Sequence, residues 1–453
     1  MKIAYIGGGS REWARKLMFD LALCPDLEGH VALYDLDLES AQLNAELGNW
    51  LQTQRGVVSR WQYAAVAARS AALAGADFVV VSIQPGSLQV MADEIAIAEK
   101  YGLFFPVGDT TGAPGLIRGL RAATIYAEFA RAIAAECPRA WVINYTNPMT
   151  ICTRTLTRVA PELKVFGCCH EVFSTQEYLA RLIAARLGGD PPPRHEIQIN
   201  VLGINHFTFV DRAFYQEHDL LALLRAHLAE PDVLRPFTRA EVEAGGNWFQ
   251  DNRQVKWSLF QRLGILPAAG DRHLVEFLPG YVVSPEELFR WGVIRTPASY
   301  RIQRWRDAMH STRDLIAGRS PLELRPSGEE GVQQIRALLG LGDWVTNVSV
   351  ENVGQIGNLP HGAVVETNAL FTRDQVLALP AGALPPSIHS LIARHVANQE
   401  MIVQAALTGD KEMAFHAVYN DPASGLTVDR AWSMFEEMLE ASRAYLPHFT
   451  KSN

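Results

Sequence analysis

The chain has few cysteines and no long apolar run. Five cysteines occur among 453 residues, an odd number, and Cys168 and Cys169 are adjacent. This pattern argues against a disulfide framework and favours the reducing cytoplasm. Residues 1–10 carry one lysine and too short an apolar run for a signal peptide. No apolar run reaches the roughly 18 residues of a membrane span, so we predict a cytoplasmic protein.

Charged residues are few, and acidic residues slightly outnumber basic ones. Charged residues make up 20% of the chain, and the formal net charge is −8. Nucleic acids and anionic membranes are usually bound by basic surfaces, so this balance argues against both partners. An anionic small molecule is not excluded, because a few local arginines are enough to bind it. The length and the 48% of hydrophobic residues predict a large core.

The N-terminus has the pattern of a dinucleotide-binding unit. An apolar strand over residues 2–6 leads into a glycine turn and an amphipathic helix, and a second strand ends at Asp35. Glycines let the backbone approach a pyrophosphate, and Asp35 would accept hydrogen bonds from ribose hydroxyls, which favours NAD over NADP. Glu12 stands where a third glycine is expected, so an ordinary glycine-rich turn is the alternative. The predicted turn contacts are Gly7, Gly8, Gly9 and Ser10.

Helical and strand-like segments alternate over the first 195 residues. The unbroken apolar run at 76–82 is typical of a strand buried on both faces. Ser82 ends this strand and Asn144 ends another, and both are predicted to contact the cofactor. The prolines at 191–193 break the pattern. We therefore predict an α/β fold with a Rossmann-type NAD-binding domain at 1–195 and a second, metal-binding and substrate-binding domain at 196–453.

The second half mixes strands and helices. Strands are predicted at 196–202, 207–210, 345–350 and 363–367, and helices at 220–228, 248–263, 329–339, 388–407 and 428–445. The two C-terminal helical patterns are long and amphipathic. Their apolar faces predict a homodimer or homotetramer, although such faces can equally pack within one chain.

Cysteine and histidine come together in two motifs. The segment 167–171 delivers Cys168, Cys169 and His170 after a short strand, and the segment 203–207 supplies His206. A thiolate and an imidazole can form part of a transition-metal site. Adjacent residues on an extended chain point to opposite sides, so Cys169 and His170 need not share a role. The alternatives are a core cysteine and a structural histidine, and Cys168 competes with Cys169 as a ligand.

Seven motifs occur in this order along the chain: IGGGS, VGDTTG with GLIRGLR, NYTNPM, GCCHE, GINHF, GDRHLVEF and NVSVENVGQIGNLP. Together they resemble the motifs of glycoside hydrolase family 4, the NAD- and Mn-dependent glycosidases. The resemblance runs nearly the full length, and within the family the motifs around His170 and Asp271 are most similar to the α-galacturonidase branch. The 6-phospho-glycosidase branches carry aspartate or asparagine where this chain has His170. The resemblance implies a C-terminal catalytic domain of the lactate/malate-dehydrogenase type, with an α+β fold.

The resemblance also implies a mechanism outside the two-carboxylate scheme of most glycosidases. NAD+ takes hydride from C3 of the sugar, which acidifies the C2 proton. A base removes that proton, the aglycone leaves C1, water adds to the unsaturated intermediate, and NADH returns the hydride. Mn2+ binds the C2 and C3 oxygens as a Lewis acid.

Roles for individual residues follow from the same resemblance. The implied metal ligands are Cys169 and His206, the general acid is His170, the base at C2 is Asp271, and the substrate contacts are Asp109, Asn147 and Arg272. For Asp271 the alternatives are a helix cap or an ion pair, with Tyr145 or Tyr281 as the base.

The resemblance does not say which arginine would bind the carboxylate of a uronide substrate. Arg118, Arg121 and Arg272 accompany the motifs. Such arginines are usually solvated or structural. The alternative is that one of them holds the carboxylate in a bidentate fork, and the motifs do not select among them.

The most direct functional hypothesis is hydrolysis of α-galacturonides such as pectin fragments. Within the family, α-glucuronidase, α-glucosidase and α-galactosidase are alternatives, because specificity depends on C4 stereochemistry and the C6 group. Outside it, an NAD-dependent 2-hydroxy-acid dehydrogenase shares the nucleotide-binding half but needs no cysteine and histidine metal pair. A non-catalytic NAD-binding protein would have little use for Cys169, His170, His206 and Asp271.

Overall fold

The computed structural model describes residues 1–449. Its strands are β1 (Lys2–Ile6), β2 (Glu28–Tyr34), β3 (Arg60–Val66), β4 (Phe78–Val81), β5 (Trp141–Asn144), β6 (Lys164–Gly167), β7 (Gln198–Ile204), β8 (Phe207–Tyr215), β9 (His218–Asp219), β10 (Leu266–Pro267), β11 (Trp344–Glu351), β12 (Val364–Thr372) and β13 (Gln375–Ala378).

Helices connect and cover these strands. They are α1 (Trp13–Ala22), α2 (Leu38–Leu51), α3 (Arg69–Leu73), α4 (Leu88–Lys100), α5 (Gly112–Glu136), α6 (Met149–Val159), α7 (Glu171–Leu187), α8 (Leu220–Leu228), α9 (Arg239–Ala244), α10 (Gln254–Leu263), α11 (Asp271–Phe277), α12 (Pro285–Arg290), α13 (Ala298–Ile316), α14 (Gly331–Leu338), α15 (Pro386–Thr408), α16 (Lys411–Tyr419) and α17 (Val428–Ser442). Over residues 1–449, no helix combines the length and the apolar composition that a membrane crossing needs.

A nine-stranded sheet organises the molecule. Its order is β13-β12-β11-β6-β5-β4-β1-β2-β3, with β1 to β6 parallel and β11 to β13 antiparallel. The parallel part has the strand order of a Rossmann fold, in which ligands bind at the carboxyl ends of the strands. The predicted α/β class is therefore confirmed. Strands from both sides of residue 195 share this sheet, and the domain division at that residue stays a prediction.

The central strands are apolar on both faces because helices cover both. In β1, Ile3 and Tyr5 belong to one buried cluster, and Ala4 and Ile6 to the cluster on the opposite face. Residues alternate between the faces of a strand, so a continuous apolar run is what two covered faces require. This packing fixes the carboxyl ends of β1, β4, β5 and β6 at one edge, and the candidate site is built there.

The smaller sheet and the C-terminal helices complete the site from the other side. The antiparallel strands β7, β8 and β10 pack with α7, α8 and α10. The helices α15 to α17 bury their apolar residues in one cluster with α5 and α11. The amphipathic faces from which we predicted an oligomer are thus covered within this chain, and the oligomer stays a prediction.

Two helices show where the sequence patterns succeed and fail. The sequence pattern predicts a helix over 38–51, and α2 has these bounds. Asp37 caps it by accepting a hydrogen bond from Ser40 N at 3.1 Å. The helix predicted over 248–263 begins only at Gln254. Arg253 before it has a left-handed backbone with φ 60°, which no helix interior accommodates.

Candidate active site

The glycine turn between β1 and α1 is a backbone cradle. Gly7 has φ 93°, and a Cβ at this position would lie 1.9 Å from Ser82 O. Gly9 N donates to Asp35 Oδ2 at 2.9 Å, and Ser10 Oγ accepts from Trp13 N at 3.1 Å. The structure thus brings the predicted turn, Asp35 and Ser82 together at one strand edge. A backbone without side chains at the start of a helix fits a dinucleotide pyrophosphate.

Asn144 has a different environment from the one we predicted. Its side chain is fully buried, and Oδ1 accepts hydrogen bonds from Tyr126 Oη at 2.7 Å and from Thr146 N at 3.0 Å. The amide Nδ2 donates to Thr146 O at 3.2 Å. These bonds favour a structural role, in which Asn144 shapes the turn that presents Asn147.

Three titratable side chains converge at the centre of the site. One ligand atom from each of Asp109, His206 and His273 lies within 4.8 Å of the others. Thr110 Oγ1 donates to Asp109 Oδ1 at 2.7 Å and lies 2.9 Å from His206 Nδ1. The imidazole rings of His206 and His273 are 3.8 Å apart between centroids. One carboxylate and two imidazoles form a donor set that suits Mn2+.

The protonation states favour metal binding by this cluster. Burial lowers the pKa of His206 to about 3, so its imidazole is neutral near pH 7 and keeps a lone pair for a metal. Burial opposes ionisation of Asp109, but the interactions with His273 and His206 outweigh it and lower its pKa to about 2.

Glu171 supports the cluster from behind. Its Oε2 accepts a hydrogen bond from Gly270 N at 2.9 Å, and its Oε1 lies 3.7 Å from His273 Nε2. Burial opposes ionisation of Glu171, but the neighbouring histidines, His273 first, and the hydrogen bond from Gly270 together lower its pKa well below the usual value. A carboxylate beside one ring nitrogen orients an imidazole that binds metal through the other.

The adjacent cysteines have separate environments. Cys168 packs in the N-terminal core and interacts with Tyr145. Cys169 instead interacts with Asn205 and Glu366, and it is not among the converging donors Asp109, His206 and His273. Burial raises the pKa of both thiols. The geometry therefore favours Cys169 over Cys168 as the thiol available to the site.

A buried amide and carboxylate network fixes the position of Cys169. Asn347 Nδ2 donates to Cys169 O at 3.1 Å and to Glu366 Oε1 at 2.7 Å. Asn205 Nδ2 donates to Glu366 Oε2 at 3.0 Å. Residue 205 directly precedes His206, so the network links the two predicted metal ligands. Their predicted roles remain proposals.

His170 faces the nucleotide-binding half. Its Nδ1 lies 3.3 Å from Glu329 Oε1, and its ring is 5.6 Å from that of Trp13 between centroids. Lys16 Nζ is 3.0 Å from the same Glu329 oxygen. Burial lowers the pKa of His170, but the hydrogen bond and charge of Glu329 outweigh burial and raise it above the usual value. A protonated imidazole near neutrality suits a general acid.

Asp271 contacts backbone rather than open space. It is 1% exposed, and its two oxygens accept hydrogen bonds from Val255 N at 3.0 Å and Lys256 N at 2.9 Å. These amides lie in the first turn of α10. Burial and the charge of Asp251 raise the pKa of Asp271 to about 8. The bonds favour the helix-capping alternative, although the raised pKa would suit a base.

The three candidate arginines have different partners. Arg121 is fully buried and forms an ion pair with Glu94, which commits it to the protein core. Arg118 donates from Nε to Asn147 O at 2.9 Å and from Nη2 to Gln84 Oε1 at 3.1 Å. The buried Asn147 Oδ1 and Arg118 Nη1 have no partner in residues 1–449, as expected of groups that bind a ligand. Arg272 borders the metal cluster.

Sequence reasoning did not identify three of these residues. His273 lies in the motif from which we predicted roles only for Asp271 and Arg272, and its position two residues after Asp271 gave no separate signal. Glu171 and Glu329 act through histidines that are brought to them by the fold. The roles of these two glutamates follow only from contacts between segments that are far apart in the chain.

Comparisons with known proteins agree with this site. A profile described as Family 4 glycosyl hydrolase matches residues 2–185, and a profile of the C-terminal domain of that family matches residues 201–424. The alpha-galacturonidase of Thermoanaerobacter italicus is 46% identical, covering 98% of this chain and 97% of the relative. The alpha-galacturonidase of Bacillus subtilis is 47% identical, covering 97% of each chain.

Solved structures share the fold. The crystal structure of lplD from Bacillus subtilis is 47% identical, covers 97% of this chain and 99% of its own, and superposes with a TM-score of 0.91. A 6-phospho-beta glucosidase from Thermotoga maritima, solved with manganese, NAD+ and glucose-6-phosphate, is 22% identical with a TM-score of 0.79 and coverage of 98% and 99%. Malate dehydrogenase from Plasmodium falciparum is 15% identical with a TM-score of 0.50 and coverage of 91% and 99%. These likenesses confirm the predicted dehydrogenase-type fold class.

Proposed function

Because the chain belongs to family 4 of the glycosyl hydrolases, we propose that it is an α-galacturonidase that uses NAD+ and Mn2+. It is a glycoside hydrolase, and a carbohydrate is its substrate. The support for the galacturonide is the near-full-length identity to curated alpha-galacturonidases. The observation that carries the metal dependence is the convergence of Asp109, His206 and His273 within 4.8 Å.

The cofactors have fitting surroundings in this chain. Bound NAD+ supplies reversible oxidation at C3, and Mn2+ supplies Lewis acidity at the neighbouring oxygens. Gly7 and Gly9 leave the backbone open at the strand edge, and Asp35 lies beside them. His206 and His273 offer nitrogen donors and Asp109 offers a carboxylate oxygen, whereas Cys169 lies outside this cluster, beside Asn205.

The chain's own residues would position the sugar and move protons. The free Asn147 Oδ1 accepts a hydrogen bond from a sugar hydroxyl. His170, held by Glu329, donates a proton to the leaving oxygen. The base at C2 stays without an assigned residue, because Asp271 caps α10 and the Tyr145 hydroxyl interacts with Cys168. Tyr281 is half-buried and remains a candidate.

A cytoplasmic location fits the cysteines. All five are buried and none is in a disulfide, and free thiols persist where glutathione keeps them reduced. In this compartment the substrate would be an imported oligogalacturonide. We retain a homodimer or homotetramer as a proposal that sedimentation velocity of the purified protein would test.

The test is a substrate panel with purified protein, NAD+ and Mn2+. We expect release of galacturonate from α-1,4-digalacturonate without a rise in NADH absorbance, because the cofactor is restored in each turnover. Matched α-glucuronides and neutral α-galactosides should react more slowly. Faster cleavage of a neutral glycoside would overturn the proposed substrate, and accumulation of NADH without cleavage would overturn the proposed reaction.

A further inference from the structure

Two arginines from separate segments border the metal cluster. Arg272 directly precedes His273 on α11, and Arg301 lies near the start of α13. Both guanidinium groups are close enough to Asp109 and His273 to interact with them electrostatically. A ligand held by the cluster would therefore have these two cations beside it.

Neither arginine has a carboxylate partner among residues 1–449. Arg272 is 9% exposed and donates from Nη2 to Thr296 Oγ1 at 2.5 Å, whereas its buried Nε has no hydrogen-bond acceptor. The buried Nε of Arg301 has none either. Across these described residues, no ion pair within 4.0 Å includes Arg272 or Arg301. A buried cation without a partner is costly, so this arrangement needs a reason.

Carboxylates interact with Arg272 at longer range, but none of them forms an ion pair with it among residues 1–449. The carboxylate of Glu276 accepts hydrogen bonds through Oε1 from Val107 N at 2.6 Å and from Gly108 N at 2.9 Å. Glu171 is held by Gly270 N and His273. The like charges of Arg272 and Arg301 repel each other. An anion bound by both would relieve this repulsion.

The other arginines of the site have fewer free donors or already form an ion pair. Arg118 uses Nε and Nη2 on Asn147 O and Gln84 Oε1, which leaves Nη1 for a single bond. Arg304 follows Arg301 by one turn but forms an ion pair with Glu12 at 3.1 Å. A carboxylate is best held by a planar fork with two free donors. The open Nε and the second hydrogen of Nη2 on Arg272 provide one.

We propose that Arg272 and Arg301 together bind the carboxylate of the uronide substrate and so distinguish it from a neutral sugar. The inference rests on the proposed function and deepens it. In this arrangement the Asp109, His206 and His273 cluster holds one side of the sugar, and the two arginines hold its acidic group. A neutral galactoside would leave the buried Arg272 and the half-buried Arg301 without a carboxylate partner, which disfavours it.

Binding of single sugars tests the subsite without hydrolysis. Calorimetry with the protein, NAD+ and Mn2+ would compare D-galacturonate with D-galactose. We expect the wild type to bind galacturonate more tightly. The variants Arg272→Gln and Arg301→Gln should each weaken galacturonate binding at least about 30-fold, because they leave a desolvated carboxylate with one partner. Galactose binding should stay unchanged.

Controls separate charge recognition from folding. Arg306→Gln removes an exposed arginine from the same helix and should leave galacturonate affinity unchanged. Arg272→Lys keeps the charge without the fork and should recover part of the affinity. Arg301 is only half-buried, so Arg301→Gln is expected to fold even if Arg272→Gln does not, as thermal unfolding would report.

The outcomes distinguish this inference from the proposed function. Equal binding of galacturonate and galactose by the wild type would overturn the subsite. A parallel loss of both affinities in Arg301→Gln would also overturn it, because a structural role predicts that result. Selective galacturonate binding through the arginines without cleavage of digalacturonate would support the subsite and reject the proposed hydrolysis.

Discussion

At the scale of single residues, the site depends on side chains whose partners come from distant segments. His273 joins His206 and Asp109 through the fold, and Glu171 holds it from α7. His170 is similarly held by Glu329, which is 159 positions away in the numbering of the chain. Each of these pairs makes a direct prediction.

Substitution of His273 should weaken metal binding. We expect His273→Ala to raise the Mn2+ concentration needed for half-maximal activity about 10- to 100-fold, because one of three converging donors is lost. A manganese titration of activity measures this change. The control His227→Ala removes a histidine that lies 3.4 Å from the exposed Glu230, away from the cluster. An unchanged manganese requirement in His273→Ala would remove His273 from the metal site.

Glu329 should set the pH dependence of the proposed general acid. The glutamate raises the pKa of His170, so more of the imidazole is protonated near neutrality. Activity that needs this proton falls as pH rises through the pKa. In Glu329→Gln the pKa of His170 drops, and the falling limb of kcat against pH should move to lower pH.

Matched measurements check the Glu329 prediction. Glu323→Gln, which changes an exposed glutamate near Arg325 in the preceding segment, should keep the wild-type profile. If the limb in Glu329→Gln stays in place while overall activity falls, the glutamate is structural and does not tune His170.

The order of the motifs predicted part of this site. The other residues of the site could not be predicted, because their positions depend on how distant segments pack. Asp109, Asn147, Cys169 and His206 lie in contiguous motifs, and the fold brings these segments to one edge. Arg301 lies outside every motif that we recognised. Its role depends on where α13 packs, which no local pattern encodes.

At the scale of elements, the contact between α10 and α11 decides the role of Asp271. Its carboxylate caps α10 through Val255 N and Lys256 N. We expect Asp271→Asn to lower the free energy of unfolding by about 1 kcal/mol, because one cap bond is lost. The value of kcat should stay within about tenfold of wild type.

Denaturant unfolding and steady-state kinetics of the Asp271→Asn protein separate the two roles. A fall in kcat of about 100-fold or more, at unchanged stability, would restore Asp271 as the base at C2. Tyr281→Phe is the companion variant. Tyr281 is the remaining tyrosine candidate for the base at C2, because the hydroxyl of Tyr145 interacts with Cys168.

The junction of α4, α5 and α17 contains a buried ion pair. Arg121 and Glu94 are fully buried, and Ser442 Oγ donates to Glu94 Oε1 at 2.6 Å. Arg121→Met leaves the carboxyl of Glu94 without its cation and should cost about 3–5 kcal/mol of unfolding free energy. The double variant with Glu94→Leu should recover much of it. Loss of galacturonate affinity in a folded double variant would return Arg121 to the substrate site.

Element prediction was accurate where patterning and caps agree. The helix α8 has the predicted bounds Leu220–Leu228, and Asp219 caps it by accepting from Leu221 N and Ala222 N. The helix α13 was not predicted because its sequence is largely polar, with Thr312 as its buried residue. A helix that lies on the surface of the site gives little hydrophobic periodicity.

At the scale of the whole molecule, one fold joins two kinds of site. The strand β1 ends at the glycine turn, and the helices α11 and α13 of the second half carry His273, Arg272 and Arg301. A dehydrogenase-type fold can therefore support hydrolysis if the hydride is returned within each turnover. The Rossmann pattern predicted the first half, whereas the packing that completes the site depends on contacts between sequence-distant segments.

The most direct test of the account is NMR of galacturonate released from α-1,4-digalacturonate in heavy water, with NAD+ and Mn2+. Oxidation at C3 and removal of the C2 proton predict deuterium at C2 of the released sugar, with no net NADH. Cleavage that leaves the C2 proton in place and proceeds equally without NAD+ would contradict the account, because the bond would then be broken without oxidation.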